Sequence, residues 1–196
     1  MTLSARRAAI STAISQRSVP VLDGRPLPPH LVLVGLPGVG KTTIGRGAAK
    51  SLARRFLDFD AEIERREGMP VREIFRVRGE EHFRALEASL TRELSTTGGM
   101  VLSPGGGWIT QTESVELLRP AGRIIYLRAA PETVASRLRR VETRPLLAGR
   151  DPVAGLRELY EKRREAYETA DAVLDTERLS RQQLIARVVE LGLATG

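Results

Sequence analysis

Eight consecutive residues, Gly35-Leu36-Pro37-Gly38-Val39-Gly40-Lys41-Thr42, match G-x-x-x-x-G-K-[ST] at every fixed position. Glycines in such a loop let backbone N–H groups turn inward around phosphate oxygens. The N-terminus of a following helix adds partial positive charge. Lys41 then reaches the β- and γ-phosphates, and the Thr42 hydroxyl can ligate Mg²⁺. These residues define a nucleoside-triphosphate site without naming the acceptor.

Other residue types downstream could complete such a site. Asp58 and Asp60 are spaced by two at the end of a short strand-like segment, which predicts both side chains on one face. One could hold Mg²⁺ through its water shell and the other orient or deprotonate an acceptor hydroxyl. Equally, both could cap the next helix, where Asp is favoured. Arg84 and Glu87 are three apart on a predicted helix, so they share a face, either as a surface pair or as an arginine aimed at a substrate anion. Gly105-Gly106-Gly107 is a flexible turn or a place where backbone approaches a ligand closely. Arg137, Arg139, Arg140 and Arg144 precede Pro145. They form either a solvated basic helix end or a loop that closes over a triphosphate. Arg163 lies beside Lys162 and Arg164, a run that by default is a solvated face.

These residues need elements to hold them. Leu31–Val34 is a continuous apolar run ending in the glycine loop, as in a buried parallel strand. Helix is expected over 41–54, strand over 56–60, and helix over 61–67 and 79–97. A third strand is expected over 100–103 and a fourth over 123–127. Helix is expected over 131–140, with proline in its first turn, and over 152–169. A last strand near 172–174 precedes a C-terminal helix. Strands alternating with helices imply a parallel sheet covered on both faces.

The chain has 196 residues, 41% hydrophobic and 28% charged, enough for one compact domain. It has no cysteine and only two histidines, His30 and His82. Thiolate chemistry is therefore excluded, and a histidine metal site is not expected. No apolar run approaches the roughly 20 residues of a spanning helix. The net charge is +7 and, apart from Lys41, Lys50 and Lys162, arginine supplies all the basic residues. Arg6, Arg7, Arg17 and Arg25 against Asp23 leave residues 29–196 with only +4. That is no concentrated basic face for nucleic acid. Residues 1–28 are read as a flexible or loosely helical extension and linker. A transit peptide is the weaker reading, and Ala8–Ser15 is too polar for a secretory core.

Taken in order, the loop Gly35–Thr43, Asp58-Phe59-Asp60, Glu73-Ile74-Phe75, Gly79-Glu80, Phe83-Arg84-Ala85-Leu86-Glu87, Gly105-Gly106-Gly107, Arg144-Pro145-Leu146-Leu147 and Lys162-Arg163 leading to Tyr167 resemble the shikimate kinase family. The resemblance spans about 31–191. It implies an α/β, three-layer P-loop kinase with a five-stranded parallel sheet of order 2-3-1-4-5, a mobile substrate segment and a lid. The activity it implies is ATP- and Mg²⁺-dependent phosphorylation of the shikimate 3-hydroxyl.

It implies roles as well. Gly38, Val39, Gly40, Lys41, Thr42 and Thr43 would hold phosphates, and Thr42 with Asp58 would hold the metal. Asp60 would be the base at the substrate hydroxyls. Arg84, oriented by Glu87, and Arg163 would grip the carboxylate. The Gly106 backbone, flanked by Gly105 and Gly107, would contact substrate, with Phe75 and Phe83 as walls. Arg144 would be the lid arginine, catalytic together with Lys41 and Asp60, Arg137 would stack near adenine, and Arg178 would lie on the adenine side. A cytoplasmic monomer is expected, with neither nucleic acid nor membrane as partner.

Pro104 and Trp108 depart from the pattern, as stiff or bulky residues beside the glycine turn. The loop Asp175–Leu179 matches only loosely. Two other functions compete: a different small-molecule kinase, such as a gluconate kinase, and a non-catalytic ligand-sensing module like those of transcriptional regulators. The extension is too short for an ordinary DNA-binding domain.

Overall fold

A computed structural model describes residues 20–22, 25–138 and 151–194. Strand β1 (His30–Val34) is buried at every position, as a central strand covered on both faces must be. It runs parallel to β3 (Val101–Ser103) on one side and to β4 (Gly122–Arg128) on the other. Strand β2 (Phe56–Asp58) pairs beyond β3, and β5 (Ala172–Asp175) pairs beyond β4. The sheet order is 2-3-1-4-5 and all strands are parallel, as expected.

Helices α1 (Lys41–Ser51), α2 (Phe59–Glu67), α3 (Val71–Leu94), α4 (Thr112–Leu118), α5 (Pro131–Arg137), α6 (Pro152–Tyr167) and α7 (Arg181–Leu193) connect and cover the strands. Local chemistry sets several of their starts. Asp151 accepts from the N–H groups of Val153 and Ala154 ahead of Pro152. Ser180 and Gln183 form a reciprocal capping box on α7. Two short 3₁₀ turns, Trp108–Thr110 and Arg119–Ala121, flank α4.

Two expectations are corrected. The second strand stops at Asp58 rather than running to Asp60. The Asp58 side chain accepts from Ala61 N–H and starts α2, which turns Phe59 fully into the core. Capping overrides period-two alternation here, so Asp60 sits in the first helical turn and not on a strand face. Second, α3 begins at Val71, well before Gly79, because Gly79 adopts φ +82°, ψ 170° and joins two helical segments across a kink. In addition, part of the expected linker contacts the domain. Val21–Leu22 pairs antiparallel with Arg25–Pro26, Leu27 N–H donates to the Pro20 carbonyl, and Gly99 N–H donates to the Pro28 carbonyl at 2.6 Å. Helix α4 had no counterpart in the elements expected from the sequence.

Candidate active site

The strands end, at their C-terminal edge, around a cavity of about 400 Å³, which is where an open α/β sheet binds ligands. Its floor is the phosphate loop. Gly35, Gly38 and Gly40 hold φ +147°, +94° and +109°, values that L side chains rarely adopt. Gly38, Gly40, Lys41, Thr42 and Thr43 line the cavity. Val39 is 3% exposed and packs into the core, so only its backbone belongs to the loop surface. The Lys41 ammonium spans the loop, donating to the carbonyls of Gly35 (3.1 Å) and Leu36 (3.3 Å).

Asp58 and Asp60 line the same cavity. Thr42 Oγ1 donates to Asp58 Oδ2 at 2.8 Å, so Asp58 caps α2 and meets the loop hydroxyl at once. The capping reading of Asp58 is borne out, and the same carboxylate reaches the loop hydroxyl. Among the described residues, no group of three or more His, Cys, Asp or Glu side chains could cage a metal. A hydroxyl and a single carboxylate beside a phosphate cradle suit Mg²⁺, which keeps waters and shares its shell with phosphates.

The acceptor side is organised by the glycine turn. A Cβ at Gly105 would lie 2.5 Å from Glu87 Oε1 and 3.2 Å from Asp60 Oδ1. One at Gly106 would lie 3.0 Å from the Arg163 guanidinium, and one at Gly107 2.6 Å from that of Arg84. The three glycines therefore make room for four site side chains arriving from α2, α3 and α6.

Arg84 donates to Glu87 Oε2 at 2.6 Å and to Glu80 at 2.7 Å. Burial disfavours the charged guanidinium, but the two carboxylates outweigh it and hold the Arg84 pKa above its usual value. Glu87 is fully buried, and burial pushes its carboxyl up, with Asp60 adding to the shift and Arg84 and Gln111 opposing it. Gln111 Nε2 donates to Glu87 Oε2 at 2.7 Å, a contact no local spacing signals. Arg163, expected by default on a solvated face, is only 6% exposed.

Trp108 does not crowd the turn. It is fully buried, donates from Nε1 to Thr91 Oγ1 at 2.9 Å, and meets Phe59 edge-on. Pro104 does line the cavity. Phe75 and Phe83 pair with each other at 5.0 Å and lie outside the cavity lining.

On the opposite flank, Arg137 lines the cavity and is anchored to Thr176 by two bonds of 3.0 Å, to Oγ1 and to the carbonyl. Arg178 is not brought in. Its side chain is 84% exposed, beside Asp175 at 3.7 Å. Thr176 is the residue of that loop that bonds Arg137, a contact no local spacing signals. Arg139, Arg140 and Arg144 lie outside the described residues.

A parallel sheet of order 2-3-1-4-5, a phosphate loop leading into α1, and acids and arginines at the strand ends define a P-loop kinase acting on a small molecule. The profile of the shikimate kinase family matches residues 37–191. The shikimate kinase of Thiobacillus denitrificans is 46% identical over 152 residues, 77% of this chain and 83% of that protein. The solved shikimate kinase of Acinetobacter baumannii, in complex with shikimate, superposes with a TM-score of 0.78 at 38% identity, covering 83% of this chain and 92% of that one. A gluconokinase from Sinorhizobium meliloti, at 18% identity and TM-score 0.53, shares the fold alone. The chain belongs to the shikimate kinase family.

Proposed function

We propose that this chain transfers the γ-phosphoryl group of ATP to the 3-hydroxyl of shikimate, giving shikimate 3-phosphate and ADP. One observation carries the proposal. Asp60 lines one cavity with the phosphate loop, and Arg84 and Arg163 reach the glycine turn that borders it. Two arginines suit one carboxylate, and an acid beside them suits hydroxyls. A nucleobase would not need this set.

Lys41 holds the β- and γ-phosphates at the loop. Thr42 and Asp58 would hold Mg²⁺, which would supply charge neutralisation at the transferring group. Asp60 orients the 3-hydroxyl and takes its proton as the phosphoryl group arrives. Arg84 and Arg163 fix the carboxylate at the far end, so that catalysis is chiefly positioning and charge neutralisation. Arg137, braced by Thr176, bounds the nucleotide side. The enzyme is read as a cytoplasmic monomer without nucleic-acid or membrane partners, in keeping with the +4 charge of residues 29–196.

An ADP-release assay tests the reading. ADP should appear only with ATP, Mg²⁺ and shikimate together, and gluconate should not replace shikimate. Turnover of gluconate but not shikimate would overturn the substrate. ATP binding without shikimate-dependent ADP release would favour a sensing module.

A further inference from the structure

The two arginines of the acceptor side are held in different ways. Arg84 is paired with two carboxylates, Glu80 and Glu87. Arg163 forms no ion pair with a carboxylate among the described residues, although it is almost fully buried. Tyr167 lies one helical turn along α6 on the same face, and both side chains are buried.

A phenol carries one proton and two lone pairs. Tyr167 spends the proton on the Gly106 carbonyl, at 3.2 Å, and its lone pairs remain as acceptors on the side of Arg163. The same guanidinium lies 3.0 Å from where a Gly106 Cβ would stand. Tyr167 and Arg163, one turn apart on α6, therefore both meet the middle of the glycine turn. The ring is fully buried and stacks on Tyr126 from β4, with centroids 4.6 Å apart and planes within 4°. That packing fixes where the hydroxyl can be. Burial also pushes the phenol up, with Arg163 opposing, so it remains a donor across the neutral range.

We infer that Tyr167 is a positioning residue for the substrate carboxylate. It aims the Arg163 guanidinium and holds the Gly106 carbonyl through a neutral hydroxyl, so that the charge on Arg163 stays available to the substrate. A carboxylate in its place would orient the arginine equally well, but would cancel the charge that the anion must meet. On this account Arg84 is oriented by carboxylates, and Arg163 is the arginine with no carboxylate pair among the described residues. The inference rests on the assignment of Arg163 to the shikimate carboxylate.

Three variants of the full chain test it: Tyr167→Phe, Tyr126→Phe and Arg163→Ala. The readouts are shikimate affinity by calorimetry, the KM for ATP by ADP release, and the melting temperature. Tyr167→Phe keeps the stacked ring and loses only the hydroxyl. Loss of one buried hydrogen-bonding group should weaken shikimate about five- to tenfold, with the KM for ATP within twofold. Tyr126→Phe deletes a buried hydroxyl that has no partner among the described residues, and should leave shikimate affinity within twofold. Arg163→Ala should weaken shikimate more than Tyr167→Phe does. If Arg163→Ala weakens shikimate while Tyr167→Phe stays within twofold of the parent, the positioning role is wrong and the functional assignment stands. Parallel losses for shikimate and ATP in Tyr167→Phe, with a lowered melting temperature, would reduce Tyr167 to a core residue and also overturn the inference. If Arg163→Ala leaves shikimate affinity unchanged, the assignment of Arg163 itself fails, and the inference with it.

Discussion

Gly105→Ala adds one methyl group at the point where the site is tightest. The new Cβ would stand 2.5 Å from Glu87 Oε1, against the 3.4 Å at which ordinary contact begins, so about 0.9 Å must be recovered. Glu87 cannot simply rotate away. It is fully buried, and its other oxygen is held by Arg84 at 2.6 Å and Gln111 at 2.7 Å. The backbone at Gly105 is not in the left-handed region, so no strain of conformation accompanies the added methyl. Either the turn retreats, carrying Gly106 away from Arg163, or the Glu87–Arg84 pair shifts. A displacement near 1 Å in a positioning site costs on the order of 100-fold in rate, and overpacking costs about 1–3 kcal/mol in stability. The expected result is a fall of about 100-fold in kcat/KM for shikimate with ATP binding preserved, measured by coupled ADP release and by nucleotide titration. Gly68→Ala is the contrast. Nothing lies within 4 Å of its Cβ, but φ is +68°, so stability should fall by about 1 kcal/mol with kinetics unmoved. Wild-type kcat/KM in Gly105→Ala would refute the claim that this turn sets the spacing of the acceptor side.

Asp60→Asn keeps the shape and removes the base, so turnover should be lost while ATP affinity, measured by titration, changes less than twofold; unchanged turnover would remove Asp60 from proton transfer. Arg84→Ala should raise the KM for shikimate about 10- to 100-fold. It should also lower the denaturation midpoint, because Glu87 is left buried without its cation, a loss of about 3–5 kcal/mol; an unchanged KM would take Arg84 out of the carboxylate site. His30 gives a pH dependence. Burial lowers its pKa from 6.5, with Arg54 adding to the shift and hydrogen bonds to Leu94, Thr97 and Met100 opposing it. Its Nδ1 accepts from Met100 N–H at 3.1 Å, which fits the neutral ring. The unfolded chain takes up this proton near pH 6.5 and the folded chain does so only lower. Stability is therefore full above that value and falls as pH drops below it, by up to about 1.4 kcal/mol per unit. Urea midpoints between pH 7.5 and 5 should show this fall, and His30→Asn should flatten it; equal slopes would assign the effect elsewhere.

The legible part of the site was its short-range part. Lys41 and Thr42 belong to a run of eight residues whose backbone geometry is dictated by its own glycines, so the motif and the loop coincide. The Arg84–Glu87 contact follows from helical spacing and is present as expected. The strand order too could be anticipated, once the residues had been set beside the family they resemble. Asp58 and Asp60 show the limit of periodicity. An Asp that can cap a helix ends the strand early, and the next acid then follows a 3.6-residue period instead of a two-residue one.

From the residues alone, the sequence determined that a phosphate-loop motif occupies Gly35–Thr42, that Asp58 and a glycine turn follow at strand ends, and that cysteine chemistry is absent. Only the tertiary structure decided that Arg163 is buried rather than solvated, that Trp108 points into the core, that Thr176 and not Arg178 reaches Arg137, and that Gln111 bonds Glu87 and Tyr167 the Gly106 carbonyl. The physical reason is the range of the contacts. Gln111 lies 24 residues from Glu87, Tyr167 61 residues from Gly106 and Thr176 39 residues from Arg137. No helical or strand period links such positions, so only the parallel sheet, by bringing the ends of all five strands to one edge, puts them in contact.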